Sequence, residues 1–322
     1  MRLLHCLLLA ASTFSLPAQA TDGIEFVVEA AGFVKPESAV HDSRNDVYLL
    51  SNLNGLSPGD AGKGFISRIA PDGRVLQLKW IDGNAPGVEL NRPAGLAVAG
   101  EVLYVADSLD SSGRAVVRLF RLDDGKPLGK AELPAGTSAN SLAVLADGSV
   151  LASYSAWNRH TLGSAGDIAE RAAPGAFRQF DGDLWVPNGR DAVLRITPDL
   201  RASVFIRSAE LKQPNGIRAL PSGNVLTVSS NGGELYEITP AGSRTRVRAL
   251  PHRGFYDGVG ETPDGRRFVS FNRGLYRVQA DGRVETVFDL NTHIADFSFD
   301  LKRGRILLPA IIANKLIVAR IP

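Results

Sequence analysis

Short apolar runs separated by glycine turns recur along this chain, and residues 214–250 show the repeat most clearly. Four runs rich in Val, Ile, Leu and Tyr lie at 214–217, 225–228, 235–238 and 245–247, with short glycine-containing turns between them. Turns this short allow only antiparallel pairing of consecutive strands. Four antiparallel strands within about 40 residues form the unit of a β-propeller blade, so the pattern predicts an all-β propeller.

The same unit recurs along most of the chain, and the residue that opens each inner strand marks one blade. Counting these openings predicts seven blades. Residues 140–206 also read as one blade with a long insertion, which gives six. Residues 157–174 are polar, and no run within them predicts a strand. The predicted opening residues are Glu37, Ala94, Asn140, Ala176, Asn215, Asp257 and Asp296.

The final blade contains only three apolar runs before Pro322, so it lacks an outer strand. A separate run at 26–28 has no partner beside it in the sequence, and we predict that it supplies the missing strand. This pairing closes the ring and leaves only short, protected strand edges. The 33 Gly and 18 Pro residues agree with a turn-rich protein. The predicted fold is therefore one all-β domain, residues 21–322, forming a propeller of six or seven four-stranded antiparallel blades.

Residues 1–20 have the composition of a secretory signal peptide and are excluded from the predicted fold. Arg2 supplies the positive charge, residues 3–11 are apolar, and Ala18-Gln19-Ala20 is a small-residue cleavage motif. We predict cleavage after Ala20 and a periplasmic or secreted mature protein. The one cysteine, Cys6, is lost with this leader. A mature chain without cysteine excludes disulfides, thiolate metal sites and a cysteine nucleophile.

The charge and motif content exclude several functional classes. A formal net charge of +2 argues against a nucleic-acid-binding surface, which needs a basic patch or stripe. No apolar run after the leader is long enough to span a membrane. The string Gly55-Leu56-Ser57-Pro58-Gly59 matches the serine hydrolase motif, but Pro58 has no N–H to donate to an oxyanion. We expect a monomer whose partner is a small molecule.

Four of the opening residues form a candidate set of oxygen donors: Glu37, Asn140, Asn215 and Asp257. Inner strands converge on the axis of a propeller, so we expect these side chains to meet there. Two carboxylates and two amides suit a hard divalent cation, Ca²⁺ first, with Mg²⁺ or Mn²⁺ as alternatives. Asp296 is expected to line the channel as a hydrogen-bonding residue. The competing interpretation is that these are ordinary turn residues, because Asn-Gly and Asp-Gly favour turns.

The motifs around these residues are Lys35-Pro36-Glu37-Ser38, Asn140-Ser141-Leu142, Gln213-Pro214-Asn215-Gly216 and Tyr256-Asp257-Gly258. They resemble blade openings of the regucalcin (senescence marker protein)/gluconolactonase family and, more broadly, of strictosidine-synthase-like and paraoxonase-like propellers. The resemblance covers essentially the whole mature chain. It implies six blades and one divalent cation held at the channel mouth by Glu37, Asn140, Asn215 and Asp257. One departure is Ser141, because the family commonly has Asp at this place.

The resemblance implies metal-assisted hydrolysis of a lactone or related ester, with Asp257 as the general base that takes a proton from water. The alternative is a non-catalytic propeller, a binding or interaction module with at most a structural metal. Pro93-Ala94-Gly95-Leu96 supports this alternative, because it resembles an NHL repeat, which is often only a binding surface. The candidate residues for a substrate pocket are Asn52, Asn54, Arg92, His252, Tyr256, His293 and Asp296.

Overall fold

The computed structural model shows six four-stranded antiparallel sheets in a propeller arrangement and one further three-stranded sheet. A short 3₁₀ helix occupies Ala209–Leu211. Within the described ranges, no helix has the length and apolar character that crossing a membrane requires. The residues that the structure describes are 23–55, 63–107, 114–160, 178–180, 183–230, 232–251 and 255–322.

The first strand, β1 (Ile24–Val28), belongs to the last blade. Within each blade, the other strands follow in chain order from the axis outwards. Blade 1 comprises β2 (Pro36–Asp42), β3 (Val47–Asn52), β4 (Phe65–Ile69) and β5 (Val75–Asp82). Blade 2 comprises β6 (Pro93–Ala99), β7 (Val102–Asp107), β8 (Val116–Arg121) and β9 (Pro127–Glu132). The inserted three-stranded sheet comprises β12 (Trp157–His160), β13 (Arg178–Phe180) and β14 (Asp183–Pro187). Blade 3 comprises β10 (Leu142–Val144), β11 (Val150–Tyr154), β15 (Ala192–Ile196) and β16 (Ala202–Arg207).

Blade 4 comprises β17 (Pro214–Ala219), β18 (Val225–Ser229), β19 (Glu234–Ile238) and β20 (Arg244–Ala249). Blade 5 comprises β21 (Tyr256–Glu261), β22 (Arg267–Phe271), β23 (Gly274–Val278) and β24 (Val284–Asp289). Blade 6 comprises β25 (Ser298–Asp300), β26 (Arg305–Ala310), β27 (Lys315–Arg320) and β1. These twenty-four strands confirm the predicted propeller and decide for six blades over seven.

The core is divided into six apolar clusters, and each is made mainly by two neighbouring blades. Between blades 1 and 2, for example, Leu49 and Ile66 pack with Leu103 and Phe120. The strands next to the axis are largely buried, whereas outer strands such as β20 are half-exposed or exposed. Burial of apolar surface between blades, at roughly 25 cal/mol per Å², therefore holds adjacent blades face to face.

Blade 6 closes the ring with strands from the two ends of the fold. β1 pairs antiparallel with β27, and Phe26 lies opposite Val318. A single apolar cluster then joins Val28 and Leu316 of blade 6 to Tyr48 and Leu50 of blade 1. The prediction that the run at 26–28 completes the last blade is confirmed.

The predicted extra blade opening near Ala176 is wrong. Ala176 itself lies outside the described residues, but β14 pairs with β12 on one side and with β13 on the other, and none of the three pairs with a blade. The absence of a strand in residues 157–174 was also a wrong expectation, because Trp157–His160 forms β12. Four polar and aromatic residues that pair only within a small sheet do not give the apolar alternation of a blade strand. The three strands form an insertion between β11 and β15.

The base of this insertion is anchored to blade 4. The buried carboxylate of Asp191 accepts hydrogen bonds from the backbone N–H of Ala156 at 2.8 Å and of Gln213 at 3.0 Å. The Gln213 side chain also donates to it, at 3.1 Å. Ser155 Oγ donates to the carbonyl oxygen of Pro214 at 2.8 Å. The insertion is therefore fixed at its base to the residues that directly precede Asn215.

Candidate functional site

One extra residue at the start of the inner strand shapes the site in four blades. In blades 1, 2, 4 and 5 the register between the first two strands shifts by one residue at this point, which is a β-bulge. A bulge leaves one residue outside the ladder and re-aims its side chain. The residues in the bulges are Glu37-Ser38, Ala94-Gly95, Asn215-Gly216 and Asp257-Gly258.

The same place in blades 3 and 6 can be identified from backbone hydrogen bonds. Asn140 N–H donates to Ser153 at 2.9 Å, and Ala295 N–H donates in the same way to Pro309 at 3.0 Å. Ala295, and not Asp296, is therefore the blade 6 counterpart of Asn140. The expectation that Asp296 opens its blade at the position of the other donors is wrong by one residue. The first layer of the ring is Glu37, Ala94, Asn140, Asn215, Asp257 and Ala295.

Glycine follows three of these residues because the next blade comes too close for a side chain. A Cβ at Gly95 would lie 2.3 Å from the carbonyl oxygen of Asn140, and one at Gly216 would lie 2.5 Å from that of Asp257. Real Cβ atoms do not approach backbone this closely, and Gly95 N–H instead donates to Asn140 at 2.8 Å. Glycine thus lets inner strands of neighbouring blades bring their first-layer residues together.

Each of the four predicted ligands carries a buried oxygen atom without a hydrogen-bond partner: Glu37 Oε2, Asn140 Oδ1, Asn215 Oδ1 and Asp257 Oδ1. Buried polar atoms in folded proteins are nearly always hydrogen-bonded, so each unpaired one requires an explanation. Here four unpaired acceptors come from four blades and one layer of the ring. Their chemistry, carboxylate and amide oxygen, is that of ligands to a hard cation.

Two hydrogen bonds fix which atoms of these ligands remain unpaired. Asn215 Nδ2 donates to the carbonyl oxygen of Tyr256 at 3.2 Å, so the amide nitrogen is held and the oxygen is left over. His293 Nε2 lies 3.0 Å from Asp257 Oδ2, so Oδ1 is left over. The His293 ring also packs edge-on against Phe255, with centroids 5.2 Å apart. These hydrogen bonds thus orient Asn215 and Asp257 and leave one oxygen of each unpaired.

The negative charges of the site act on one another. Burial raises the pKa of Glu37 well above its usual value, and the nearby carboxylates of Asp257 and Asp296 raise it further. The charges of Arg218 and Arg92 act in the opposite direction. A raised carboxyl pKa means that binding a positive charge stabilises the site. The electrostatics of the ring therefore favour a cation.

A second layer lies one residue further along the inner strands and contains Ser38, Ser141 and Asp296. Asp296 Oδ2 accepts hydrogen bonds from both serine hydroxyls, each at 3.2 Å, and Oδ1 accepts one from Arg218 Nη2 at 3.0 Å. Burial raises the pKa of Asp296, and the Arg218 charge opposes this. The expected hydrogen-bonding role of Asp296 in the channel agrees with these contacts.

The other predicted pocket residues divide into two groups. Asn52 is buried, accepts from Val34 N–H at 3.0 Å and donates to Ser67 Oγ at 3.1 Å, so it stabilises blade 1. Tyr256 is also buried, with its ring 4.5 Å from that of Phe271. The ring contact of Tyr256 is therefore with a residue of its own blade, blade 5.

Two predicted pocket residues lie on loops and one lies beyond the described part. Asn54 follows β3 and donates through Nδ2 to the carbonyl oxygen of Lys63 at 3.3 Å. Arg92 precedes β6, and its backbone N–H is held by Asp107 Oδ1 at 2.7 Å. The charge of Arg92 acts to lower the pKa of Glu37. His252 lies outside the described residues.

Sequence reasoning missed Arg218, Ser38 and Ser141, which surround Asp296. Arg218 had a detectable signal, because it is a charged residue on the innermost strand of blade 4, three residues after Asn215. The serines had none, since Ser is common beside turns. Among the described residues, no three His, Cys, Asp or Glu side chains converge to hold a metal. A cation in this ring would therefore need the amide oxygens of Asn140 and Asn215.

No protein-family model and no curated protein matches the chain. Solved structures do match its fold. A gluconolactonase from Xanthomonas campestris is 18% identical, with a TM-score of 0.62 over 90% of this chain and 87% of that one. A luciferin-regenerating enzyme is 10% identical, with a TM-score of 0.60 over 91% of this chain and 95% of that one. An inactive variant of virginiamycin B lyase from Staphylococcus aureus with quinupristin is 14% identical, with a TM-score of 0.54 over 90% and 96%.

At identities of 10–18%, what these proteins share with the chain is the fold. The predicted resemblance to gluconolactonase-like propellers is confirmed at that level, because a gluconolactonase structure matches nine-tenths of the chain.

Proposed function

We propose that this protein is a divalent-metal-dependent hydrolase of a lactone or related ester. One observation carries the proposal: the four buried oxygens of Glu37, Asn140, Asn215 and Asp257 that lack a hydrogen-bond partner. Leaving a buried acceptor unpaired destabilises a protein by about 1–3 kcal/mol. One cation bound by all four would remove this penalty. The fold shared with a gluconolactonase supports the reaction class.

The donor set favours Ca²⁺, with Mg²⁺ or Mn²⁺ as alternatives, because all four donors are hard oxygens. Four protein ligands also leave coordination positions for water and for substrate. When bound, the cation would supply a Lewis acid for the carbonyl oxygen of the substrate. Glu37 and Asp257 together contribute two negative charges, which balance a divalent ion.

Asp257 would act as the general base. Its carboxylate would accept a proton from the water that attacks the carbonyl carbon, while the otherwise unpaired Oδ1 would face the cation. The ring C–O bond of the lactone then breaks, and the leaving alkoxide takes up the proton to give the hydroxy acid. His293 holds the second oxygen, Oδ2, at 3.0 Å and keeps Oδ1 directed to the metal site.

Arg92 would help to bind the substrate. Two observations support this role: the charge of Arg92 acts on Glu37, and its backbone is fixed by Asp107. A guanidinium donates several hydrogen bonds in a fixed geometry and therefore suits the hydroxyl or carboxyl oxygens of a polar substrate. We propose that Arg92 orients the lactone so that its carbonyl carbon faces Asp257.

We also propose that the enzyme is exported, because residues 1–20 have the composition of a signal peptide. Residues 1–20 lie outside the described part of the chain, and their composition supports cleavage after Ala20. We therefore propose that the enzyme acts in the periplasm or outside the cell.

The proposal is tested by turnover of a panel of lactones and aryl esters, before and after metal removal with a chelator. We expect turnover to stop on chelation and to return with Ca²⁺, Mg²⁺ or Mn²⁺. Glu37→Gln and Asp257→Asn should each lower kcat/KM by about 100-fold or more, because they remove a ligand charge and the base. Asp281→Asn is the matched control, since Asp281 is an exposed turn residue far from the ring in sequence, paired only with Arg283.

Two outcomes would contradict the hydrolase. Turnover that persists unchanged after complete metal removal would exclude the metal-dependent mechanism. Absence of turnover on every substrate, together with a melting temperature that rises on adding metal, would identify a binding module with a structural cation.

A further inference from the structure

A charged pair, Arg218 and Asp296, lies beside the ring of ligands on the inner strands. From β17, Arg218 Nη2 donates to Asp296 Oδ1 at 3.0 Å and to the carbonyl oxygen of Phe297 at 2.6 Å. Asp296 Oδ2 accepts from Ser38 and Ser141, each at 3.2 Å. The pair therefore connects blades 1, 3, 4 and 6 across the axis.

These contacts leave Asp296 no oxygen for a metal. Both carboxylate oxygens are hydrogen-bonded, in contrast to the unpaired Oδ1 of Asp257. The Asp296 side chain is only 1% exposed, whereas that of Arg218 is 20% exposed. A buried carboxylate remains charged only beside a compensating positive group. Arg218 is placed to be that group.

The pair is electrically coupled to the ring. The carboxylate of Asp296 and the guanidinium of Arg218 act in opposite directions on Glu37. The backbone also connects the layers, because Asp296 N–H donates to the carbonyl oxygen of Glu37 at 2.8 Å. Glu37, Asp257, Asp296 and Arg218 together carry a formal charge of minus two, and Arg92 adds a positive charge that the variants below leave unchanged.

We infer that Arg218 and Asp296 are positioning residues that set the charge of the ring and so make it select divalent over trivalent cations. Arg218 cancels the charge of Asp296, and the ring then presents only the two charges of Glu37 and Asp257. This inference rests on the proposed metal ring, but not on the identity of the substrate.

Changes to the pair should shift ion preference in opposite directions. Arg218→Gln leaves Asp296 uncompensated, so the ring gains one negative charge and should favour Tb³⁺ over Ca²⁺. Asp296→Asn leaves Arg218 uncompensated, so affinity for both ions should fall, and more steeply for Tb³⁺. The double variant restores the charge of minus two and should restore the preference. If the pair were purely structural, each single variant would bind Ca²⁺ and Tb³⁺ more weakly by the same factor.

The experiment measures Ca²⁺ and Tb³⁺ affinity at pH 8 by calorimetry and by terbium luminescence, with circular dichroism to verify the fold. We expect the ratio of Tb³⁺ to Ca²⁺ affinity to rise about tenfold or more in Arg218→Gln and to fall about tenfold or more in Asp296→Asn. The control is Arg283→Gln with Asp281→Asn, an exposed pair with Nε–Oδ2 at 2.6 Å, which should leave the ratio unchanged.

Either failure can be recognised separately. A wild-type protein that binds neither ion would overturn the proposed function and this inference with it. A wild-type protein that binds both ions, with the same ratio in every variant, would overturn this inference alone. Should Arg218→Gln fail to fold, Ser141→Asp keeps Arg218 and Asp296 and adds a negative charge beside them, in place of the hydroxyl that donates to Asp296. It should also raise the ratio, and an unchanged ratio would count against the inference.

Discussion

At the scale of single residues, the site depends on which atom of each side chain is already bonded. Asn215 and Asp257 each have one polar atom held by a neighbour and one left over. Ligands fixed in this way lose little rotamer freedom when an ion binds, so more of the interaction energy remains as affinity. The residues that hold the ligands therefore matter almost as much as the ligands.

Replacing His293 should weaken the site without disturbing the propeller. His293→Ala frees Asp257 Oδ2, so the carboxylate can rotate away from the ring. We expect metal affinity to fall about 10- to 100-fold, as measured by calorimetry. His41→Ala is the matched control, because His41 also contacts a carboxylate, Asp46 at 3.1 Å, in a different cluster. Metal affinity that is equal in both variants would contradict the role given to His293.

The sequence was sufficient to place Glu37, Asn140, Asn215 and Asp257 at the start of inner strands, because each lies beside a turn that precedes an apolar run. It was not sufficient for Asp296. Placing that residue requires the register of blade 6, where Ala295 N–H pairs with Pro309. A shift of one residue changes which face a side chain takes, and a motif two or three residues long cannot fix it.

At the scale of elements, the strand pattern was predictable wherever a strand packs between blades. Strands such as β3 and β18 are buried along their whole length, so selection for apolar residues leaves a clear signal. The insertion containing β12, β13 and β14 pairs mainly within itself and lacks that signal. Its anchor, Asp191, could not be identified from sequence, because its partners Ala156 and Gln213 contribute only backbone or amide groups.

A second carboxylate cluster stabilises the contact between blades 1 and 6 and should make stability depend on pH. Asp300 is buried, accepts from Tyr48 OH at 2.8 Å and from Arg303 Nη1 at 3.0 Å, and lies 3.3 Å from His41 Nδ1. Burial alone would raise the pKa of Asp300, but these hydrogen bonds outweigh it and hold the pKa below its usual value.

Because the folded pKa of Asp300 is lowered, its stabilisation is complete above the unfolded pKa of about 3.9 and is lost as the pH falls through the folded pKa. Asp300→Asn should therefore lower the free energy of unfolding by about 2–3 kcal/mol at pH 7. The difference from wild type should shrink below about pH 4. Urea unfolding at several pH values measures this, and a difference that stays constant with pH would contradict it. Exposed Asp281→Asn should have little effect at any pH.

At the scale of the whole molecule, stability is distributed over six similar interfaces between blades. Each blade buries one face on each neighbour, so the interface between blades 1 and 6 forms only when the ring closes. The first-layer residues come from all six blades, so the ring of ligands exists only in the closed form. Under the proposed function, the site is therefore complete only when the ring has closed.

Removing β1 should open the ring. Deletion of residues 21–29 exposes the edge of β27 and the cluster around Val28, so we expect a loss of more than about 3 kcal/mol and a tendency to associate through that edge. Thermal melting and size-exclusion chromatography measure both effects. A synthetic peptide of residues 23–29 should restore the melting temperature, and the same peptide with Val28→Asp should not. A deleted protein that melts like the full-length chain would contradict this role of β1.

The pairing of β1 with β27 also determines when the propeller ring can close during synthesis. During synthesis the ribosome releases β1 before any other strand of the propeller and its partner β27 after all the others. Blades 1 to 5 can form one after another as the polypeptide grows, but β1 must wait unpaired until the last strand appears. Contacts between such distant segments form slowly. The proposed cation site would therefore lie in a closed ring only after β27 has been synthesised and has paired with β1.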